Sequence, residues 1–141
     1  PWVAPVGRLD QASEGLLLFT NDPGWAARIT DPATGPDKTY RVQVEGVPGD
    51  ESLAAMVAGL DEGGDRLSAK SVALLKSGGK TSWLEVVLDE GKNRQIRRLA
   101  KAAGFPVLRL VRVAIGGLAL GELPKGGWRR LSDDEAAALR G

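Results

Sequence analysis

The sequence predicts an α+β fold, and three features carry that prediction. Stretches that alternate with period two, such as KTYRVQVEGV from Lys38 to Val47, read as half-buried strands. Two further strand-like runs follow one another across the short turn Ser77-Gly78-Gly79-Lys80, as hairpins do. Helical stretches are interspersed among them without the strict strand–helix alternation that a doubly wound parallel sheet requires.

Taken in order, residues 15–20 (GLLLFT) read as a strand, and Asp22 caps a short helix through Thr30. The strand Lys38–Val47 follows, then a helix from Asp50 to Leu60 and a polar loop. A hairpin spans 69–76 and 81–90. Asn93 is the expected cap of a helix that runs to Ala103 and stops at Gly104, with Pro106 just beyond. VLRLVRVAI, residues 107–115, is another strand. Ser132-Asp133-Asp134-Glu135 is a capping box opening a last short helix. No repeat, low-complexity tract or linker interrupts the chain, so 1–141 reads as one domain.

Composition narrows the chemistry. There is no cysteine and no histidine. Thiol nucleophiles, disulfides, most zinc sites and histidine acid–base pairs are therefore excluded, and any reaction must run on carboxylates, Lys, Tyr, Ser/Thr or Arg. No apolar run approaches the roughly 18 residues of a membrane span and no signal sequence is visible, so a soluble cytoplasmic protein is expected. The chain opens on Pro1 without a Met, as a fragment lacking its amino-terminal part would.

Net charge is +1, from 19 basic and 18 acidic residues, but it is unevenly spread. Seven of the basic residues fall between Lys92 and Arg112, where there is no acid, so the rest of the chain sums to −6. Such segregation points to a polyanion on one face. Within that stretch Arg94, Arg97, Arg98 and Lys101 share one helical face, while Ile96, Leu99, Ala100 and Ala103 share the opposite one. Like charges on one face repel by a few tenths of a kcal/mol per pair. Either carboxylates arrive from elsewhere in the fold or the partner is phosphate, which binds with steep salt dependence.

Other motifs carry less. SGGKTS contains Gly-Lys-Thr, but a P-loop needs a glycine where Leu74 stands, and the stretch lies between two strands; it is a turn. The four tryptophans, Trp2, Trp25, Trp83 and Trp128, read as packing residues. Glu14 and Glu85 lack a second carboxylate at a spacing suited to glycosidase chemistry.

The stretch VGRLDQASEGLLLFTND, residues 6–22, sets Arg8 and Asp10 just ahead of an apolar run. By itself it is either a surface turn with a local ion pair or a carboxylate presented by a buried strand. GRLDQASEGLLLFTND, KTYRVQVEG and EGKNRQIRRLAKAAGFPVLRLVRVAIG, in that order, resemble the motifs of the rRNA pseudouridine synthases of the RsuA/RluB/RluE/RluF type. The resemblance runs from Val6 to Trp128. Within that family, TSWLEVVLDEGKNRQIRR and GFPVLRLVR look most like the RluE group, which acts on large-subunit rRNA.

The resemblance implies a pseudouridine synthase catalytic domain, a mixed, mostly antiparallel sheet flanked by helices. It implies isomerisation of a uridine in rRNA, the 23S molecule for the RluE group, without cofactor or metal. It makes Asp10 the catalytic carboxylate. Tyr40 packs on the target base, Arg97 pairs with Asp10, and Leu110 closes the pocket on an apolar side. A guanidinium at contact distance would keep a sheltered carboxylate ionised. The target base must be flipped out of its stack, and Tyr40 offers a π face that recovers roughly 1–3 kcal/mol. The expected RNA contacts are Arg8, Lys38, Lys92 and Asn93 together with Arg94, Arg98 and Lys101. Arg109 and Arg112 on the next strand complete them.

Relatives carry a strand segment before GRLD, and many carry an S4-type RNA-binding domain; both are expected to be absent here. Two readings stand: an active isomerase with Asp10 essential, and a non-catalytic RNA-binding module or ribosome assembly factor. Nothing in the sequence demands more than a monomer.

Overall fold

In the computed structural model the protein is built from ten strands and four helices among the described residues. The structure describes residues 3–7, 9, 13–31, 35–89, 94–121, 123 and 127–140, the side chain at 140 excepted. In chain order the elements are β1 (Ala4–Pro5), β2 (Glu14–Gly15), β3 (Phe19–Thr20), α1 (Pro23–Thr30), β4 (Lys38–Glu45) and α2 (Asp50–Ala58). Then come β5 (Leu60–Glu62), β6 (Asp65–Leu67), β7 (Ser71–Ser77), β8 (Thr81–Leu88) and α3 (Gln95–Ala102). The chain closes with β9 (Val107–Ile115), β10 (Leu118–Ala119) and α4 (Asp133–Arg140).

The main sheet runs β10-β9-β4-β8-β7 with antiparallel neighbours, and β2 adds to β9 in parallel. The sheet is thus mixed and mostly antiparallel, and the fold is α+β as the sequence predicts. Period-two patterning decides which side is covered. Ser82, Leu84, Val86 and Leu88 of β8 are buried, and Val42 and Val44 of β4 are fully so. On that face α2 and α3 seal a first cluster with Met56, Leu67, Ile96, Leu99, Ala100 and Leu110. A second cluster, Val6, Leu18, Trp25, Ile29, Ile115, Leu118 and Leu139, gathers under α1 and α4. The Trp25 Nε1–H donates to the Ala136 carbonyl at 2.9 Å and ties those two helices together.

Local chemistry explains most boundaries. The Asp22 carboxylate accepts from the Gly24 and Trp25 amides, with Pro23 at the first helical position. The capping box closes reciprocally: the Ser132 amide donates to Glu135 Oε1 at 2.9 Å, and the Glu135 amide to Ser132 Oγ at 3.1 Å. SGGK is the β7–β8 turn, with Gly79 at φ +90°.

Three expectations change. The strand predicted over 15–20 is two short pieces in different sheets: Glu14–Gly15 pairs with Val111 and Arg112, while Phe19–Thr20 pairs with Ala4–Pro5. Residues 16–18 carry the chain between the two sheets, and Leu18 lands in the second cluster. The polar loop after α2 contains the hairpin β5–β6, turning at Gly63 (φ +56°) and Gly64 (φ +86°). Finally, α3 begins at Gln95 with Arg94 at its N-cap in the left-handed region, φ 51°. Asn93, the expected cap, lies outside the described residues.

Candidate functional site

Cross-strand register gathers the site at the seam between the two clusters. Tyr40 on β4 faces Val86 on one side and Arg112 on the other. Two residues earlier, Lys38 faces Leu88 and Ile115. Val86 and Leu88 belong to the first cluster and Ile115 to the second. Directly opposite residues point to one face of a sheet. Lys38, Tyr40 and Arg112 therefore form a polar stripe along the boundary, on the side that the helices cover. An irregularity in the β4–β9 register between Thr39 and Tyr40 skips Val113, which has no partner on β4, and lets β9 change course at this point.

Tyr40 is half-buried and packs against the first cluster. Leu110, opposite Val42, is only 4% exposed. It is a wall residue inside the cluster, behind Tyr40. Arg97 is half-buried on α3, with its Nε shielded from solvent, and its neighbours Ile96, Leu99 and Ala100 join the cluster that Tyr40 touches. Burial, and after it the charge of Arg112, hold the Lys38 ammonium below its ordinary pKa.

The basic face of α3 is only partly available to a polyanion. Arg98 is committed to two carboxylates of the β5–β6 hairpin: its Nε to Glu62, and its Nη2 to Asp65 Oδ2 at 2.7 Å. These ion pairs raise its pKa. This corrects the expectation that Arg98 points freely at RNA, because the relieving acids come from a hairpin in a stretch that reads as polar loop. Arg109 is likewise held by Glu14, Nε to Oε1 at 2.8 Å and Nη2 to Oε2 at 2.9 Å, a bidentate fork. Arg112, expected among the RNA contacts, is only 4% exposed. Arg94 and Lys101 are exposed. Arg8, Asp10, Lys92 and Asn93 lie outside the described residues.

The tryptophans divide. Trp25 is core and Trp83 half-buried, but Trp128 is 80% exposed, contrary to its reading as a packing residue. Trp2 lies outside the described residues. On the opposite face of the sheet Arg41, Leu75, Lys76, Trp83 and Val111 line a cavity of about 480 Å³, away from Tyr40. Among the described residues no group of three acids is placed to hold a metal ion, and no helix is long and apolar enough to cross a membrane.

Comparison with known proteins places this geometry. Residues 2–102 match the RNA pseudouridylate synthase family, a span that includes Asp10, Tyr40 and Arg97. The chain is 42% identical, over 99% of its length and 81% of the relative's, to ribosomal large subunit pseudouridine synthase E of Xanthomonas campestris pv. campestris. It is 37% identical to the protein of the same name from Vibrio parahaemolyticus, over 92% of this chain and 60% of that one. A crystal structure of a pseudouridylate synthase superposes with a TM-score of 0.85 at 31% identity, covering 97% of this chain and 59% of that one. The chain thus spans about three fifths of the Vibrio relative and of the solved synthase.

Proposed function

The chain belongs to the RNA pseudouridylate synthase family, and from that premise we propose that it isomerises a specific uridine of large-subunit (23S) rRNA to pseudouridine. In that reaction the N1–C1′ bond of the flipped nucleotide breaks, the base turns, C5 bonds to C1′, and the C5 proton leaves as N1 gains one. Asp10 supplies the ionised carboxylate against the sugar–base bond. Arg97 keeps it charged and oriented, and Tyr40 holds the base. Leu110 backs the pocket with an apolar wall. Around this centre Arg8, Lys92, Asn93, Arg94 and Lys101 grip the RNA backbone, while Arg98 and Arg109 support it through the elements they tie down. Residues 1–141 act as one catalytic domain, monomeric, in the bacterial cytoplasm, and need no metal or cofactor.

The observation that supports this reading most is that near-full-length likeness to named synthases coincides with an aromatic ring held at a polar seam between two cores. The test is release of tritium from rRNA labelled at uridine C5, with wild type and Asp10→Asn side by side. Release by wild type alone is the expected result. Release by neither, from a chain that binds RNA and melts cooperatively, would make this an RNA-binding module instead.

A further inference from the structure

Lys38 and Arg112 are cations set into apolar surroundings, and among the described residues no carboxylate meets either one. Lys38 lies between Leu88 and Ile115, and its Nζ reaches only the Pro36 carbonyl, at 3.5 Å. The neighbouring acid, Asp37, is taken by Lys70 at 2.6 Å. Arg112 is 4% exposed; its Nε donates to the Leu16 carbonyl at 2.8 Å. Its Nη2 is buried and has no hydrogen-bond partner among the described residues. Two positive charges side by side in a seam oppose folding, and a buried donor left unmet adds to the cost. The depressed pKa of Lys38, caused by burial and then by Arg112, reports the same conflict.

An anion between them would relieve both. We infer that Lys38 and Arg112 form an anion subsite in the seam that takes one phosphodiester group of the RNA strand whose base rests on Tyr40. This rests on the synthase reading above. Arg112 offers a planar fork that matches two phosphate oxygens, and Lys38 a compact point charge. Lys38 precedes Tyr40 by two residues on one strand face, about 6.6 Å, which one nucleotide spans from base to phosphate. The stability given up where these cations meet no carboxylate among the described residues is recovered when the strand binds.

The test compares wild type, Lys38→Met and Arg112→Lys, with a single-stranded uridine-containing RNA and with inorganic phosphate as probes. Methionine fills the space between Leu88 and Ile115 without charge, so Lys38→Met should fold with a Tm at or above that of wild type. Its RNA affinity at low salt should fall about tenfold. The slope of log K against log salt should shrink by about 0.7, the share of one phosphate on a single strand. Arg112→Lys keeps the charge and loses the fork; it should lose affinity with its slope retained. Phosphate at matched ionic strength should raise the Tm of wild type, compete with RNA, and do neither in Lys38→Met. An unchanged slope and affinity in a folded Lys38→Met would overturn the assignment to the RNA backbone. If phosphate still stabilised wild type alone in that case, the seam would be a free-phosphate site. Failure of the synthase reading looks different: wild type would release no tritium, whereas the effect of Lys38→Met on the salt slope would persist.

Discussion

Leu16 and Arg112 bond each other in both directions. The Leu16 amide donates to the Arg112 carbonyl at 2.9 Å, and Arg112 Nε donates to the Leu16 carbonyl at 2.8 Å. The segment that follows Asp10 is thereby clamped to β9, and the bidentate Glu14–Arg109 pair clamps it again two residues earlier. A carboxylate in the role proposed for Asp10 needs such support, because misplacement by about 1 Å can cost 10²-fold in rate.

Gly15 makes that clamp sterically feasible. Its φ is +116°, and a Cβ there would stand 2.1 Å from the Arg112 carbonyl oxygen, a backbone atom that cannot move aside. Gly15→Ala should therefore break the β2–β9 pairing and cost about 3 kcal/mol, combining backbone strain with overpacking. Urea unfolding checks the stability, and a variant of unchanged midpoint would show that the pairing is not needed. Activity and RNA affinity should both fall, since Gly15 pairs with Arg112, the proposed phosphate contact, and braces the segment that follows Asp10.

On α3 the two outward cations should separate cleanly. Lys101 is exposed and faces solvent, so Lys101→Ala should reduce the salt slope of RNA binding by about 0.7 and leave the Tm alone. Arg98 is spent on Glu62 and Asp65. Arg98→Ala should lower the Tm by loosening the β5–β6 hairpin, with little change in slope. Melting curves and salt titrations on the two variants decide this, and a large slope change in Arg98→Ala would return that residue to the RNA face.

That contrast shows where the sequence was readable. Helix caps such as Asp22 and Ser132-Glu135, the period-two strands and the apolar side of α3 are local signals, and the structure carries them through. Pairing between distant segments is not local. Nothing near Arg98 in sequence announces Glu62 and Asp65, which lie more than thirty residues away. A signal for the hairpin was nevertheless present: Gly63-Gly64 between LDE and DRL is a two-residue hairpin turn. The split of residues 15–20 had no such mark, because continuous apolar runs do not say which sheet they join. Tyr40 and Arg97 drew their roles from family resemblance. The packing of two clusters either side of Lys38, Tyr40 and Arg112 could come only from the folded chain.

The core behind the site offers a test of that link. Leu99 is 1% exposed, on the face of α3 opposite its cations, and sits in the cluster that contains Leu110 and carries Tyr40. Leu99→Ala should cost roughly 2–5 kcal/mol, the transfer loss plus the cavity left behind. Because Arg97 rides on the same helix, turnover under folding conditions should drop while the pH profile keeps its shape. A variant with full turnover would separate helix packing from the position of Arg97.

Stability in acid should depend on the second cluster's cap. Hydrogen bonds from Arg129, at 2.9 and 2.8 Å, and then from the Ser132 amide, hold the Glu135 carboxyl at about 2, against an ordinary 4.5. The folded value is the lower one, so the contribution is complete above about 4.5 and fades as pH falls toward 2. Glu135 opens α4, whose Ala136 carbonyl accepts from Trp25. Loss of the capping pair should therefore release α4 from α1, and Trp25 emission should shift with it. Glu135→Gln removes the titration: its Tm should start lower at pH 6 and fall less between pH 5 and pH 2 than that of wild type. Thermal melts across that range, followed by tryptophan fluorescence, make the comparison. Parallel acid limbs for the two proteins would mean that other carboxylates govern acid unfolding.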